Sequence, residues 1–101
     1  MGRRPSADDR FIVEREFRVP VRLFWRTGKF TESEREVPTG LELIVISSPT
    51  MIARDVAIHP VDPQKYESLF VDAQDSSQES YGGYALIIGF DALRSNCKPV
   101  E

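Results

Sequence analysis

The sequence predicts a β-rich α+β domain: a curled antiparallel sheet, or a small β-barrel or roll of five or six strands, carrying one short helix. Three observations lead there. Residues 17–26 alternate strictly, with Phe17, Val19, Val21, Leu23 and Trp25 on one parity and Arg18, Pro20, Arg22, Phe24 and Arg26 on the other. Side chains on a strand alternate between faces, so this is a strand with an apolar side and a cationic side. Two further runs, 41–46 and 84–90, are almost continuously apolar, as central strands are. Turn chemistry separates the runs at Thr27-Gly28-Lys29, Pro38-Thr39-Gly40 and Ser47-Ser48-Pro49-Thr50.

The elements follow in order. Residues 1–10 are polar and aperiodic with Pro5, and read as a flexible arm; residues 11–101 form the single β-rich domain. Strand character starts at Phe11. Pro20 cannot donate to a ladder and sits on the cationic parity, which places it on an edge strand or at a bulge. Glu32, Glu34 and Glu36 share one parity in the segment 30–37. A hairpin pairing Arg26 with Glu32, Arg22 with Glu36 and Val21 with Val37 satisfies charge and core together. A two-residue turn at Thr27-Gly28 would set the glutamates opposite Leu23 and Trp25, at a high desolvation cost. A solvated loop over 27–36 is the alternative to a strand. Residues 52–58 read as a strand with Ile52, Val56 and Ile58 on one face and Arg54 interrupting it.

Asp62-Pro63 has the form of a helix start, and Tyr66, Leu69, Phe70 and Ala73 follow at helical spacing, so a helix is expected over 63–73, with a strand at 66–71 as runner-up. The polar run 75–80 reads as a loop, Gly82-Gly83 as a turn or bulge, 91–96 as a helical turn opened by Asp91, and 97–100 as a last short strand.

Composition bounds the function. The chain has 101 residues, 41% hydrophobic and 29% charged, with a formal net charge of −3. No run approaches the roughly 20 apolar residues of a membrane helix. The arginines near the start precede no apolar region, unlike a secretory signal. The single cysteine, Cys97, makes no internal disulfide, which suits a cytoplasmic setting. Residues 1–29 hold eight Lys/Arg against four Asp/Glu, and residues 30–101 five against twelve. Mutual attraction within one fold accounts for that split more simply than a polyanion partner.

No catalytic, metal or nucleotide motif is legible. His59 is the sole histidine and precedes a proline, the setting of an ordinary strand-end residue. The serines lie in turns, outside any Gly-x-Ser-x-Gly elbow, and Gly82-Gly83 lacks the lysine of a phosphate loop. What remains is the ridge Arg18, Arg22, Phe24 and Arg26. Arginine beside an exposed aromatic suits a protein interface or a stacked nucleic-acid base. Pairing with Glu32, Glu34 and Glu36 is the competing expectation. The functional expectation is therefore a non-enzymatic interaction module, of accessory, adaptor or inhibitor type, that binds a protein partner and self-associates without a cofactor. A nucleic-acid-binding barrel using residues 15–29 is the alternative, and an enzyme with a site assembled across a dimer is the third reading.

Overall fold

The computed structural model describes residues 7–47 and 55–100. Seven strands form one sheet: β1 (Arg10–Val13), β2 (Phe17–Trp25), β3 (Phe30–Val37), β4 (Glu42–Ser47), β5 (Asp55–Pro60), β6 (Tyr81–Gly89) and β7 (Cys97–Pro99). Their spatial order is β3-β2-β6-β5-β4-β1-β7, and every neighbouring pair is antiparallel. Three short helices join in: α1 (Glu67–Phe70), α2 (Ala73–Ser76) and α3 (Phe90–Asn96). The fold is thus a β-rich α+β domain. The expected strand count of five or six rises to seven, and the sheet stays open, with β3 and β7 as its edges. The added count comes from the 11–26 region, which the polar stretch Glu14-Arg15-Glu16 divides. There the N–H groups of Glu14 and Arg15 turn to the Asn96 carbonyl, 2.8 and 3.1 Å away.

Chain length forces the sheet to curl. Strands β3 and β4 stand four places apart, roughly 19 Å in a flat sheet at about 4.8 Å per strand. The link between them is 38–41, and it spends length on a turn in which Gly40 takes φ +86°. The link from β1 to β2 is shorter still and also spans four places. The two links run side by side, with Gly40 N–H to Val13 O at 2.8 Å and Val13 N–H to Leu41 O at 2.9 Å.

Strand β6 is the hinge of the sheet. Residues 81–86 pair with β2 and residues 86–89 pair with β5, so Leu86 alone belongs to both ladders, opposite Val21 and Ile58. The concave face carries the core: Val19, Val21, Leu23, Val37, Leu43, Val45, Val56, Ile58, Leu86 and Ile88, closed by Phe70, Val71 and Leu93 from the helical segments. Leu43, Val45, Leu86 and Ile88 are buried as their strands imply, whereas Trp25 is only half-buried. Trp25 lies at the hairpin end, where Gly82-Gly83 bulges, as expected of that pair. Its indole N–H donates to Thr31 Oγ1 at 3.1 Å, and its ring meets Tyr81 edge-on at 6.1 Å.

The expected helix 63–73 is corrected. Asp62 does receive the Lys65 N–H on Oδ1 at 3.3 Å, but it caps a turn rather than a long helix. Helix α1 ends at Phe70 because Val71 is extended (φ −130°, ψ 129°), and α2 starts after the extended Asp72. Phe70 and Val71 are buried while Leu69 is exposed, so burial here does not follow the i, i+3, i+4 stripe of a continuing helix. Leu69, expected inward, is exposed. Part of the expected 75–80 loop is taken by α2, while the helical turn near 91–96 is α3, beginning one residue earlier.

Of the 1–10 arm, residues 7–10 are described. Asp8 N–H bonds to Val45 O at 2.8 Å, Val45 N–H bonds to Asp9 O at 2.9 Å, and β1 begins at Arg10. Residues 1–6, the 48–50 part of the predicted turn and the 52–54 start of the predicted strand lie outside the described residues.

Candidate interaction surface

The face of β2 opposite the core presents Arg18, Pro20, Arg22 and Phe24, with Arg26 just beyond the strand. Strand β3 pairs with β2 without interruption from Phe17↔Val37 to Phe24↔Phe30, placing Arg18 opposite Glu36, Pro20 opposite Glu34 and Arg22 opposite Glu32. This corrects the expected register by four residues. The strand alternative to a 27–36 loop is the one realised, and the glutamates do share the arginine face. A shift of four preserves every parity, so charge and core matching cannot detect it. The turn decides. Gly28 at φ +90° accepts the left-handed step that closes a short loop, with Gly28 N–H to Trp25 O at 2.9 Å and Trp25 N–H to Lys29 O at 3.0 Å.

The Trp25–Lys29 bond also fixes which backbone groups point where. Hydrogen-bonded and non-hydrogen-bonded pairs alternate in an antiparallel ladder, so odd-numbered residues of β2 bond to β3. Pro20, an even-numbered residue, turns its missing N–H toward β6. The β2–β6 ladder has already ended at Val21↔Leu86, so no bond is forfeited. Strand β2 is internal, yet Pro20 occupies an edge-like position within it.

Each arginine of the ridge has a distinct setting. Arg18 Nε donates to Glu34 Oε1 at 2.7 Å, and that bond, with the charge behind it, holds the guanidinium above its ordinary range. Arg22 reaches Glu32 Oε2 with Nε and Nη2, at 3.3 and 3.1 Å, and its Cζ lies 4.3 Å from the centroid of Phe30. Arg26 is exposed, and its backbone N–H bonds to Ser80 O at 2.7 Å. Phe24 and Phe30 stand directly opposite each other, 41% and 54% exposed. The structure thus brings Arg22, Phe24, Phe30 and Glu32 together at the hairpin end and sets Arg18 with Glu34 further along. Phe30 escaped the sequence reading because only the correct register puts it beside Phe24.

Charge at these pairs follows the split in the sequence. Arg18–Glu34, Arg22–Glu32 and Arg10–Glu42 (3.5 Å) each join an early cation to a later anion. Such exposed bridges contribute little stability individually. At the corner where β2 begins, Glu16 lies against Glu36. Sharing a hydrogen bond with that carboxylate, and feeling its charge, raises the Glu16 carboxyl above the ordinary range.

The same convex face continues across the sheet. Ile87 on β6, Ala57 and His59 on β5, Ile44 on β4 and Ile12 on β1 are half-buried there, and Ile46 is 43% exposed. His59 stands opposite Ile44, with Nδ1 2.8 Å from the Pro60 carbonyl oxygen. The core residues of the helical segments lie on the concave side, so no helix covers this patch among the described residues.

Cys97 is a core residue, and burial pushes its thiol up to about 11, with Glu14 adding to the effect. The native protein should therefore react with a thiol reagent at pH 8 roughly 100-fold more slowly than the unfolded chain, since the thiolate is the nucleophile. Burial also raises the hydroxyls of Tyr81 and Tyr84, which donate to Glu67 Oε2 at 3.2 Å and to Pro63 O at 2.8 Å. An acid raised on folding favours the folded state while it stays neutral. These groups' contribution to unfolding free energy should hold up to about pH 9, fall as pH passes from 9 to 11 through Cys97, and fall further as the tyrosines ionise. Equilibrium denaturation across pH 7–11 measures the profile, and a flat curve to pH 11 contradicts it.

The chain matches no protein-family model, no curated protein and no solved structure. Among the described residues no group of three or more His, Cys, Asp and Glu side chains is placed to hold a metal ion, and no helix is long and apolar enough to cross a membrane.

Proposed function

We propose that this chain is a non-enzymatic protein-interaction module that associates with a second copy of itself through the convex face of its sheet. The observation that carries the reading is the apolar patch of Ile12, Ile44, Ile46, Ala57 and Ile87, which no helix covers among the described residues. Its borders suit a self-complementary contact. On one side stands the Arg10–Glu42 pair, and on the other the Arg18–Glu34 and Arg22–Glu32 pairs with Phe24 and Phe30. Neutral borders let two identical faces meet without net repulsion, and an apolar centre ringed by arginines and aromatics is the usual anatomy of an interface. The same neutralisation weighs against the nucleic-acid reading, because a polyanion is gripped by unpaired cations.

Sedimentation at micromolar concentration tests it. The wild type should run at twice its 11.5 kDa mass, and the double variant Ile44→Lys, Ile46→Lys should run as a monomer with an unchanged circular dichroism spectrum. A wild type that remains at 11.5 kDa at high concentration overturns self-association. Salt-sensitive oligonucleotide binding by the wild type, lost in Arg22→Glu with Phe24→Ala, would establish the alternative instead.

A further inference from the structure

We propose that β3 is a docking edge for an extended peptide segment bearing Lys or Arg at alternate positions. The two edges of the sheet differ in kind. Strand β7 is three residues long and ends in Pro99, so it is blunted. Strand β3 is eight residues long, contains no proline and no bulge, and holds continuous register with β2. By the alternation already fixed, Phe30, Glu32, Glu34 and Glu36 turn their N–H and C=O groups to the free side. Among the described residues no backbone group pairs with them there. This is an open template for one more antiparallel strand.

Charge selects the occupant. Glu32 and Glu34 pair with Arg22 and Arg18 on the β2 side, and with Glu36 they would be the cross-strand neighbours of an added strand on the other, where a Lys or Arg opposite each carries the alternation of charge from β2 across β3. Parity disfavours a second copy. Two β3 strands related by a two-fold axis normal to the sheet pair residues of equal parity, so every register that overlaps them well sets glutamate against glutamate. This edge therefore suits a strand of opposite charge better than a second β3. The close approach of Glu16 to Glu36 at one end of β3 adds a place where an arriving cation relieves repulsion.

The inference rests on reading the chain as an interaction module, and peptide binding is measured beside sedimentation so that either can fail alone. The probe is an acetylated, amidated Thr-Lys-Val-Lys-Val-Lys-Thr peptide, with the Lys→Glu version as control. The lysine peptide should bind saturably, weaken with salt, and slow amide exchange at Glu32, Glu34 and Glu36 about tenfold or more, with Ser33 and Arg35 unchanged because their N–H groups already bond to β2. Glu34→Pro removes one outward donor and should weaken binding about tenfold. Glu34→Gln, which keeps the backbone and serves as the folding control, should weaken it less. No binding at millimolar peptide, equal binding of the two peptides, or binding without alternate protection along β3 would each overturn the proposal.

Discussion

Leu86→Ala should lower the free energy of unfolding by about 4 kcal/mol, in the upper part of the range for leucine truncation in a core. Leu86 is completely buried and is the one residue in both the β2–β6 and the β5–β6 ladders. Truncation removes apolar surface and leaves a cavity bordered by Val21 and Ile58, its neighbours across the two ladders. Unbroken ladders with β3 and β6 hold Val21 on β2 and Ile58 on β5, so the walls have little freedom to collapse into the space. With a urea slope of roughly 1–3 kcal/mol per molar, the midpoint should fall by more than 1 M. Val13→Ala, at the far side of the sheet where β1 pairs with the three-residue β7, should cost less. A midpoint for Leu86→Ala equal to wild type would mean that β6 does not join the two halves of the sheet.

The strands were legible because half-burial writes a period of two into the chain, and Phe17 to Trp25 is the plainest instance. Register was not, because period two is blind to even shifts: Arg22 opposite Glu36 and Arg22 opposite Glu32 satisfy the same pattern. Only the backbone at Gly28 distinguishes them. The helical segment failed for a related reason. Tyr66, Leu69, Phe70 and Ala73 have the spacing of one helical face, but the backbone is extended at Val71 and Asp72, Leu69 is exposed and Val71 is buried, so the local period does not describe the segment. At the interaction surface, the pairing of arginine with glutamate could be read in kind from the opposed parities of the two segments. The Phe24–Phe30 pair could not, since it depends on register. The convex patch was partly visible in the two-sided apolarity of 41–46 and 84–90, whose convex positions, Ile44, Ile46 and Ile87, are the residues that carry the proposed contact.

Phe70→Ala should cost about 3–5 kcal/mol and should loosen residues 61–80 before the sheet gives way. The segment carrying α1 and α2 is polar over most of its length, and its described buried residues are Phe70 and Val71. Phe70 has no exposed surface and stacks on Tyr84 with ring centroids 5.8 Å apart and planes 29° from parallel. Tyr84 in turn donates to Pro63 O at 2.8 Å, so ring packing and hydrogen bonding hold the same segment down from two directions. Tyr84→Phe keeps the stack and removes only that bond, and should cost about 1 kcal/mol. Arg35–Asp72 at 3.0 Å and Tyr81–Glu67 at 3.2 Å are partly solvated and cannot replace a buried aromatic anchor. Native-state amide exchange separates local from global loss. In Phe70→Ala, the N–H groups of Val71, Asp75 and Ser76 should exchange far faster than those of Val21 and Ile58. Equal acceleration at all five would show that the helical segment and the sheet unfold as one unit, and that Phe70 stabilises the whole core rather than the cover over it.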